Sequence, residues 1–157
     1  MIKLKDITMK YNDNGTEIEA LKLKELNIEK GKHVAFIGAS GCGKTTLFNL
    51  ISGMITPTSG SVEVNDVDIT SLNEVERDLY RANSIGYIFQ DFNLFPEFTV
   101  LQNVILPMSF SKRYTKKEMN ELAKDILKKV GMDEKINQKV KSLSGGEKQR
   151  VAIARSI

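Results

Sequence analysis

The chain of 157 residues has little cysteine and no long apolar run. Its one cysteine, Cys42, excludes an internal disulfide and fits a reducing compartment. No apolar segment approaches the roughly 20 residues of a membrane-spanning helix, and no basic-then-apolar signal segment opens the chain. Repeats and low-complexity segments are also absent. With 41% hydrophobic and 27% charged residues, the sequence predicts one domain around one core.

Charge of one sign is not in large excess either, because the formal net charge is only +3 at pH 7. The basic pairs flank a segment of helical periodicity, and a solvated helix face accounts for them: Lys112-Arg113, Lys116-Lys117 and Lys128-Lys129. We therefore expect no nucleic-acid partner from the charge pattern.

One glycine-rich segment fits the phosphate-binding pattern G-x-x-x-x-G-K-[ST]: Gly38-Ala39-Ser40-Gly41-Cys42-Gly43-Lys44-Thr45. The apolar run 33–37 before it predicts a buried strand. After it, apolar residues recur at helical spacing at Leu47, Leu50, Ile51 and Met54. A loop between a strand and a helix N-terminus offers unpaired N–H groups and the positive end of the helix dipole to an anion. The segment therefore predicts a phosphate site, the alternative being a chance glycine-rich turn before a helix.

Within that loop, the lysine and the hydroxyl residues after it have separate predicted roles. Lys44 brings an ammonium to the β- and γ-phosphates of ATP, and Thr45 offers a hydroxyl to Mg²⁺. Thr46 completes the predicted nucleotide-binding segment. For Cys42 two readings stay open: a reactive thiol near a helix N-terminus, or a small residue that fits the turn.

A second glycine motif, Leu143-Ser144-Gly145-Gly146-Glu147, lies about a hundred residues further on. Ser144 can cap a helix there, and Glu147, three residues later, can complete a capping box. Gly145 and Gly146 leave their amides bare. Taken alone, the motif predicts a helix start and no more.

Together, the two motifs closely resemble those of ABC ATPases, in which the second is the signature motif. The resemblance implies an α/β P-loop NTPase core with N-terminal β strands and a small helical subdomain, binding ATP and Mg²⁺. It implies that Ser144, Gly145, Gly146 and Glu147 cover ATP held by a second subunit, in a head-to-tail dimer. The expected organisation is a nucleotide-binding core over 1–90, a helical subdomain over 91–142 and the signature with its helix over 143–157.

The resemblance also gives roles to two residues outside the motifs. Gln90 ends the apolar run 85–89, predicted as a strand, where the family has a glutamine that contacts Mg²⁺ and the attacking water. An ordinary polar residue at a strand end is the alternative. Tyr11 closes an alternating strand over 2–9, where the family stacks an aromatic ring on adenine; covering a sheet edge is the alternative.

Segments 55–60, 81–90 and 93–100 are similar to the branch that serves lipoprotein release, macrolide export and related peptide export. Gln102 departs from it where Glu is usual, and Lys139-Val140-Lys141 replaces an approach containing proline. The resemblance implies a cytoplasmic subunit at the inner face of the cell membrane that couples ATP hydrolysis to export through a separate transmembrane permease. In the helical subdomain, Thr115 and Glu118 predict a helix start and Gly131 its end. An earlier helical pattern there runs over 100–108, and Pro107 is expected to disturb it. Before the subdomain, Ser71 with Glu74 predicts the start of another helix.

No acidic residue follows Glu147, and the only histidine, His33, precedes the phosphate loop. Residues 1–157 therefore lack the family's Walker B aspartate, catalytic glutamate and switch histidine, and we expect a domain truncated before Walker B. Lys44 and Gln90 remain of the catalytic set, so ATP should bind but turn over little. In the family, the next strand lies in the sheet beside the phosphate-loop strand. Its absence would leave an open sheet edge, which predicts segment exchange or a complementary chain there.

Two other functions remain open from the sequence. One is a soluble ABC ATPase acting on nucleic acid or ribosomes, although the segment 91–142 is short and free of cysteine. The other is a nucleotide-binding regulator that does not hydrolyse ATP.

Overall fold

The computed structural model describes residues 1–111 and 113–157, so Lys112 of the first basic pair lies outside the described residues. The chain divides into two compact units, Met1–Asp78 and Leu79–Ile157. Helix α2 (Glu74–Ser84) contains the point of division. No helix among the described residues is long and apolar enough to span a bilayer.

The first unit is built on an antiparallel sheet in the order β2-β1-β3-β4. Its strands are β1 (Ile2–Asp13), β2 (Thr16–Ile28), β3 (Ser59–Val64) and β4 (Val67–Asp68). The β1–β2 hairpin turns at Asn14 and Gly15, whose φ values of 51° and 86° suit the Asn-Gly turn that hairpins favour. This sheet confirms the N-terminal β strands that the resemblance implied.

The buried face of β1 changes parity at a bulge. Leu4 is buried, and the next buried residues are Ile7 and Met9 instead of the even-numbered positions. Asp6, which lies between Leu4 and Ile7, has φ 50°. The register of β1 with β3 shifts between Lys5 and Thr8. The extra residue returns Ile7 and Met9 to the core side of the sheet.

Helix α1 (Lys44–Ile51) follows the phosphate loop as predicted, with Leu47 and Leu50 buried. The helix ends earlier than the periodicity predicted, because Met54 lies beyond it and is exposed. Residues 33–37 form no strand, which corrects the sequence prediction. A strand needs a hydrogen-bonded neighbour, and in the described part of the first unit none pairs with this segment; Ile37 is 95% exposed.

The second unit is helical: α3 (Val100–Ser111), α4 (Lys116–Lys129) and α5 (Gly145–Arg155), with 3-10 turns at Asp133–Lys135 and Val140–Ser142. Its core brings together side chains from all three helices and the turns, namely Val100, Val104, Ala123, Leu127, Met132, Val140, Leu143, Val151 and Ala154. The apolar run 85–89 forms no strand, again because no strand pairs with it among the residues that the structure describes.

The predicted ends of α4 are confirmed. Thr115 and Glu118 form a complete capping box at its start. At its end Gly131 has φ 67°, its N–H donates to Lys128 O (3.1 Å), and Met132 N–H donates to Leu127 O (2.9 Å). These two bonds form the Schellman ending that a left-handed glycine permits.

Two other helix predictions need correction. Helix α2 starts with a reciprocal pair between Asn73 and Glu76, two residues later than the predicted Ser71 and Glu74. Ser71 instead donates its hydroxyl to Asp68 O at 2.8 Å. Helix α3 continues through Pro107, which the sequence predicted would disturb it.

Candidate functional site: the phosphate loop, the Gln90 turn and the Ser144 helix start

The phosphate loop adopts a backbone that only glycine accommodates at several points. Gly41 and Gly43 have φ values of 80° and 89°. At Gly38 an added Cβ would lie 2.7 Å from Cys42 Sγ, and at Gly43 it would lie 2.7 Å from Ala20 O. The loop therefore keeps its curvature through the absence of side chains at the positions where the sequence pattern demands glycine.

Helix α1 begins directly after this loop, and no side chain caps it. Its first intrahelical bond runs from Leu47 N–H to Gly43 O at 2.8 Å. The amides of Lys44, Thr45 and Thr46 precede that bond and have no intrahelical acceptor. They form the positive end of the helix dipole, which favours an anion.

The Lys44 ammonium bonds back to carbonyls at the start of the loop. Its Nζ donates to Gly38 O at 2.9 Å and to Ala39 O at 2.6 Å, and it lies 3.5 Å from Cys42 Sγ. Cys42 is exposed. Residues 38–46 contain amides, hydroxyls and an ammonium but no carboxylate, and this set of donors fits a polyphosphate with its Mg²⁺.

Tyr11 lies on β1 opposite Ile18 of β2, and 42% of it is exposed. The pairing of β1 with β3 ends at Thr8, so Tyr11 lies beyond that ladder. An exposed ring can stack on a base, and it can also cover a sheet edge; the geometry allows both readings.

Gln90 is exposed and lies within a tight turn. Phe92 N–H donates to Phe89 O at 3.0 Å, which places Gln90 at the second position of the turn. Phe92 and Asn93 then have φ values of 61° and 44°, in the left-handed region. For a bulky aromatic residue this conformation is strained by about 1–3 kcal/mol.

Arg155, the last residue of α5, holds this turn. One guanidinium nitrogen donates to Phe92 O at 2.5 Å and the other to Asn93 O at 2.6 Å. Its partial burial lowers the pKa of the guanidinium. The sequence analysis missed Arg155, because nothing in the local pattern shows a contact across more than sixty residues.

The Ser144 motif starts α5 as predicted, with a complete capping box. Ser144 N–H donates to Glu147 Oε2 at 2.8 Å, and Glu147 Oε1 pairs with Lys135 Nζ. The Lys135 hydrogen bond, with further help from Ser144, lowers the pKa of Glu147 to about 2. An added Cβ at Gly145 would meet nothing within 4 Å, so the space beside this helix start is open.

Two residues at the start of α3 form side-chain bonds that the sequence analysis did not predict. Gln102 forms a capping box with Thr99. The Gln102 Oε1 accepts from Thr99 N–H at 2.8 Å, and the backbone N–H of Gln102 donates to Thr99 Oγ1 at 3.1 Å. A glutamine therefore does what the usual glutamate would do there. Asn103, fully buried, bonds three backbone groups of residues 95–99 and was not predicted.

The predicted site residues are distributed over both units. The phosphate loop and Tyr11 belong to the first unit, whereas Gln90 and the Ser144 motif belong to the second. Within the second unit, the structure joins the Gln90 turn to the far end of the Ser144 helix through Arg155. No group of three or more His, Cys, Asp or Glu side chains is placed to hold a metal within residues 1–111 and 113–157.

Comparison with known proteins adds independent evidence. Residues 21–157 match the family described as ABC transporter. The whole chain is 42% identical to the lipoprotein-releasing system ATP-binding protein LolD of Francisella tularensis subsp. holarctica (strain OSU18), covering 68% of that protein. It is 40% identical to the macrolide export ATP-binding/permease protein MacB of Rhodopirellula baltica, covering 23% of it. The dimeric post-hydrolysis structure of the ATP-binding cassette MJ0796 bound to ADP and Pi superposes with a TM-score of 0.91 at 39% identity, over 100% of this chain and 69% of the other.

Proposed function

The chain belongs to the ABC transporter family of ATP-binding proteins, and on that premise we propose that it binds MgATP and serves a separate membrane permease in export. The observation that carries the proposal is the phosphate loop, with left-handed Gly41 and Gly43 and with the Lys44 ammonium bonded to two carbonyls of the loop. The names of the relatives support transport over the two alternatives, action on nucleic acid and a regulator that does not hydrolyse ATP. The proposal places the chain at the inner face of the membrane, beside that permease.

The first unit supplies the contacts to phosphate. The amides of Lys44, Thr45 and Thr46 point out of the N-terminus of α1 and donate to phosphate oxygens. The Lys44 ammonium exchanges its carbonyl partners in the loop for the β- and γ-phosphates. Thr45 would hold Mg²⁺ through its hydroxyl, and the ion when bound offsets charge on the phosphates. Tyr11 would stack on adenine.

Gln90 belongs to the same proposed chemistry through its carboxamide. The side-chain oxygen would hold Mg²⁺, and the NH₂ group would donate to water. Its exposure within the turn 89–92 leaves both atoms accessible. The tightly bonded turn supports a positioned glutamine over an ordinary polar residue at a strand end.

The second unit supplies a surface for a second subunit. Gly145 and Gly146 leave the first amides of α5 open, and the capping box with Lys135 holds this helix start in one conformation. These amides would cover the γ-phosphate of ATP on the partner chain, giving a head-to-tail dimer. The dimeric state named for MJ0796 supports this arrangement. Exchange of segments between chains stays a prediction without further support.

The polypeptide 1–157 is proposed to bind ATP and to hydrolyse it slowly. Lys44 and Gln90 hold phosphate and water in this proposal, but neither is a carboxylate that can take a proton from water. Phosphate release by purified 1–157 should not exceed that of its Lys44→Ala variant. Substantial hydrolysis by the unsubstituted chain alone would contradict this part of the proposal.

The test of the whole proposal is dimerisation driven by MgATP. Sedimentation should show a dimer with MgATP and a monomer without it, because slow turnover leaves the ATP-bound state populated. Ser144→Arg should abolish the dimer and leave ATP binding intact, since a bulky cation then fills the open helix start. Thr115→Ala removes a comparable cap from α4 and serves as the matched control. A nucleotide-independent state, or binding of nucleic acid in place of a second copy, would overturn the proposal.

A further inference from the structure

Arg155 connects the end of the Ser144 helix to the turn that carries Gln90. Its two terminal nitrogens donate to two successive carbonyls, Phe92 O at 2.5 Å and Asn93 O at 2.6 Å. A planar guanidinium can make such a pair of bonds from one side chain, whereas a lysine ammonium is a single point donor.

The two acceptors belong to residues that need external support. Phe92 has φ 61° and Asn93 has φ 44°, and consecutive left-handed residues without glycine persist only where their surroundings hold them. The guanidinium is partly buried, so the two carbonyls replace water as its acceptors.

The segment before the turn also rests on the end of α5. At Gly86 an added Cβ would lie 1.9 Å from Ser156 O, so the two backbones approach too closely for any side chain. Gly86 and Phe92 lie on either side of Gln90 in the sequence. The end of α5 therefore contacts the Gln90 segment at two places.

We propose that Arg155 is a positioning residue that holds the Gln90 turn in the conformation that presents the glutamine side chain. The inference rests on the proposed role of Gln90. Helix α5 starts at the Ser144 motif and ends at Arg155, and its buried residues Val151 and Ala154 lie in the core of the unit. The core packing of α5 therefore fixes the point from which the guanidinium holds the turn that presents the glutamine amide.

The first test measures the turn directly by amide hydrogen exchange. In Arg155→Lys, exchange at Phe92 and Asn93 should accelerate by about tenfold, the equivalent of one charged hydrogen bond. Amides within α4 should exchange as in the unsubstituted chain, which shows that the unit is folded. Arg150→Lys, at an exposed position of the same helix, is the control. It should change neither the exchange at Phe92 and Asn93 nor the exchange within α4. Unchanged exchange at Phe92 and Asn93 in Arg155→Lys would overturn the proposal; Arg155→Met, which keeps the apolar stem, provides a second variant.

The second test separates a positioning role from a general structural one. ATP affinity is measured with Mg²⁺ and with EDTA for Arg155→Lys, Gln90→Ala and the double variant. Both single variants should bind ATP more weakly than the unsubstituted chain when Mg²⁺ is present, and equally well in EDTA. The double variant should bind MgATP no more weakly than Gln90→Ala does. If Gln90→Ala has its effect and Arg155→Lys has none, or if the two losses add, Arg155 does not act through Gln90. If Gln90→Ala has no effect, the proposed role of Gln90 fails and this inference fails with it.

Discussion

Replacing Asn103 by Ala should cost more stability than any surface change in the second unit. The side chain is fully buried and bonds to residues 95–99 through both of its polar atoms. Its Oδ1 accepts from Phe95 N–H at 2.8 Å, and its Nδ2 donates to Phe95 O at 3.1 Å and to Thr99 O at 3.0 Å. Alanine removes all three bonds and leaves the Phe95 N–H without a partner. Phe95 O keeps the bond from Phe98 N–H at 3.2 Å, and Thr99 O keeps the bond from the backbone N–H of residue 103 at 3.0 Å.

The size of the effect follows from those three bonds. The two bonds to the carbonyls are worth about 1 kcal/mol each net, and the unpaired Phe95 N–H costs about 1–3 kcal/mol, so we expect a loss of about 3–5 kcal/mol. Small domains have a total unfolding free energy of about 5–15 kcal/mol, so the change is a large fraction of it.

The assay is urea unfolding followed by tyrosine fluorescence. The chain has no tryptophan, and three of its four tyrosines, Tyr80, Tyr87 and Tyr114, lie in the second unit. Asn120→Ala is the matched control, because Asn120 is exposed and its side chain donates to the carbonyl of Lys116 one turn earlier. It should change the unfolding free energy by less than about 0.5 kcal/mol. Equal midpoints for the two variants would refute the reasoning.

Two further predictions concern charge and the single thiol. Because Lys135 and Ser144 lower the pKa of Glu147 from 4.5 to about 2, its folded carboxylate stabilises the second unit above pH 4.5, and that contribution is lost as the pH falls towards 2. The urea midpoint of the unsubstituted chain should therefore fall more steeply over this range than that of Glu147→Gln; parallel profiles would exclude the coupling. Cys42 is exposed beside Lys44, so MgATP should slow its alkylation by a maleimide, and the alkylated chain should no longer bind ATP. Equal labelling rates in a sample that binds ATP would leave Cys42 as a packing residue.

The local features of the fold could be predicted because they depend on near neighbours in the sequence. The capping boxes at Thr115 and Ser144 each span three residues, and Gly131 marks its helix end by its own backbone freedom. The phosphate loop is likewise one continuous segment. The Thr99–Gln102 box could have been found by the same spacing, but it was read as a departure from the family pattern.

The two apolar runs 33–37 and 85–89 were assigned to strands for their composition alone. A strand exists only with a hydrogen-bonded neighbour, which composition does not show, and neither run has one among the described residues. Asn103 and Arg155 were missed because their partners come from other segments: the Arg155 bonds span more than sixty residues. The assignment of residues 1–90, 91–142 and 143–157 to separate regions stays a prediction.

The most direct measurement of the central claim is the affinity of MgATP for the chain by titration calorimetry. The unsubstituted chain should bind, and Lys44→Ala should weaken binding by about tenfold or more, because a charged hydrogen bond to phosphate is lost. Lys32→Ala removes the same charge from an exposed side chain outside the loop and should bind as the unsubstituted chain does. Equal affinities for the unsubstituted chain and Lys44→Ala would contradict the account.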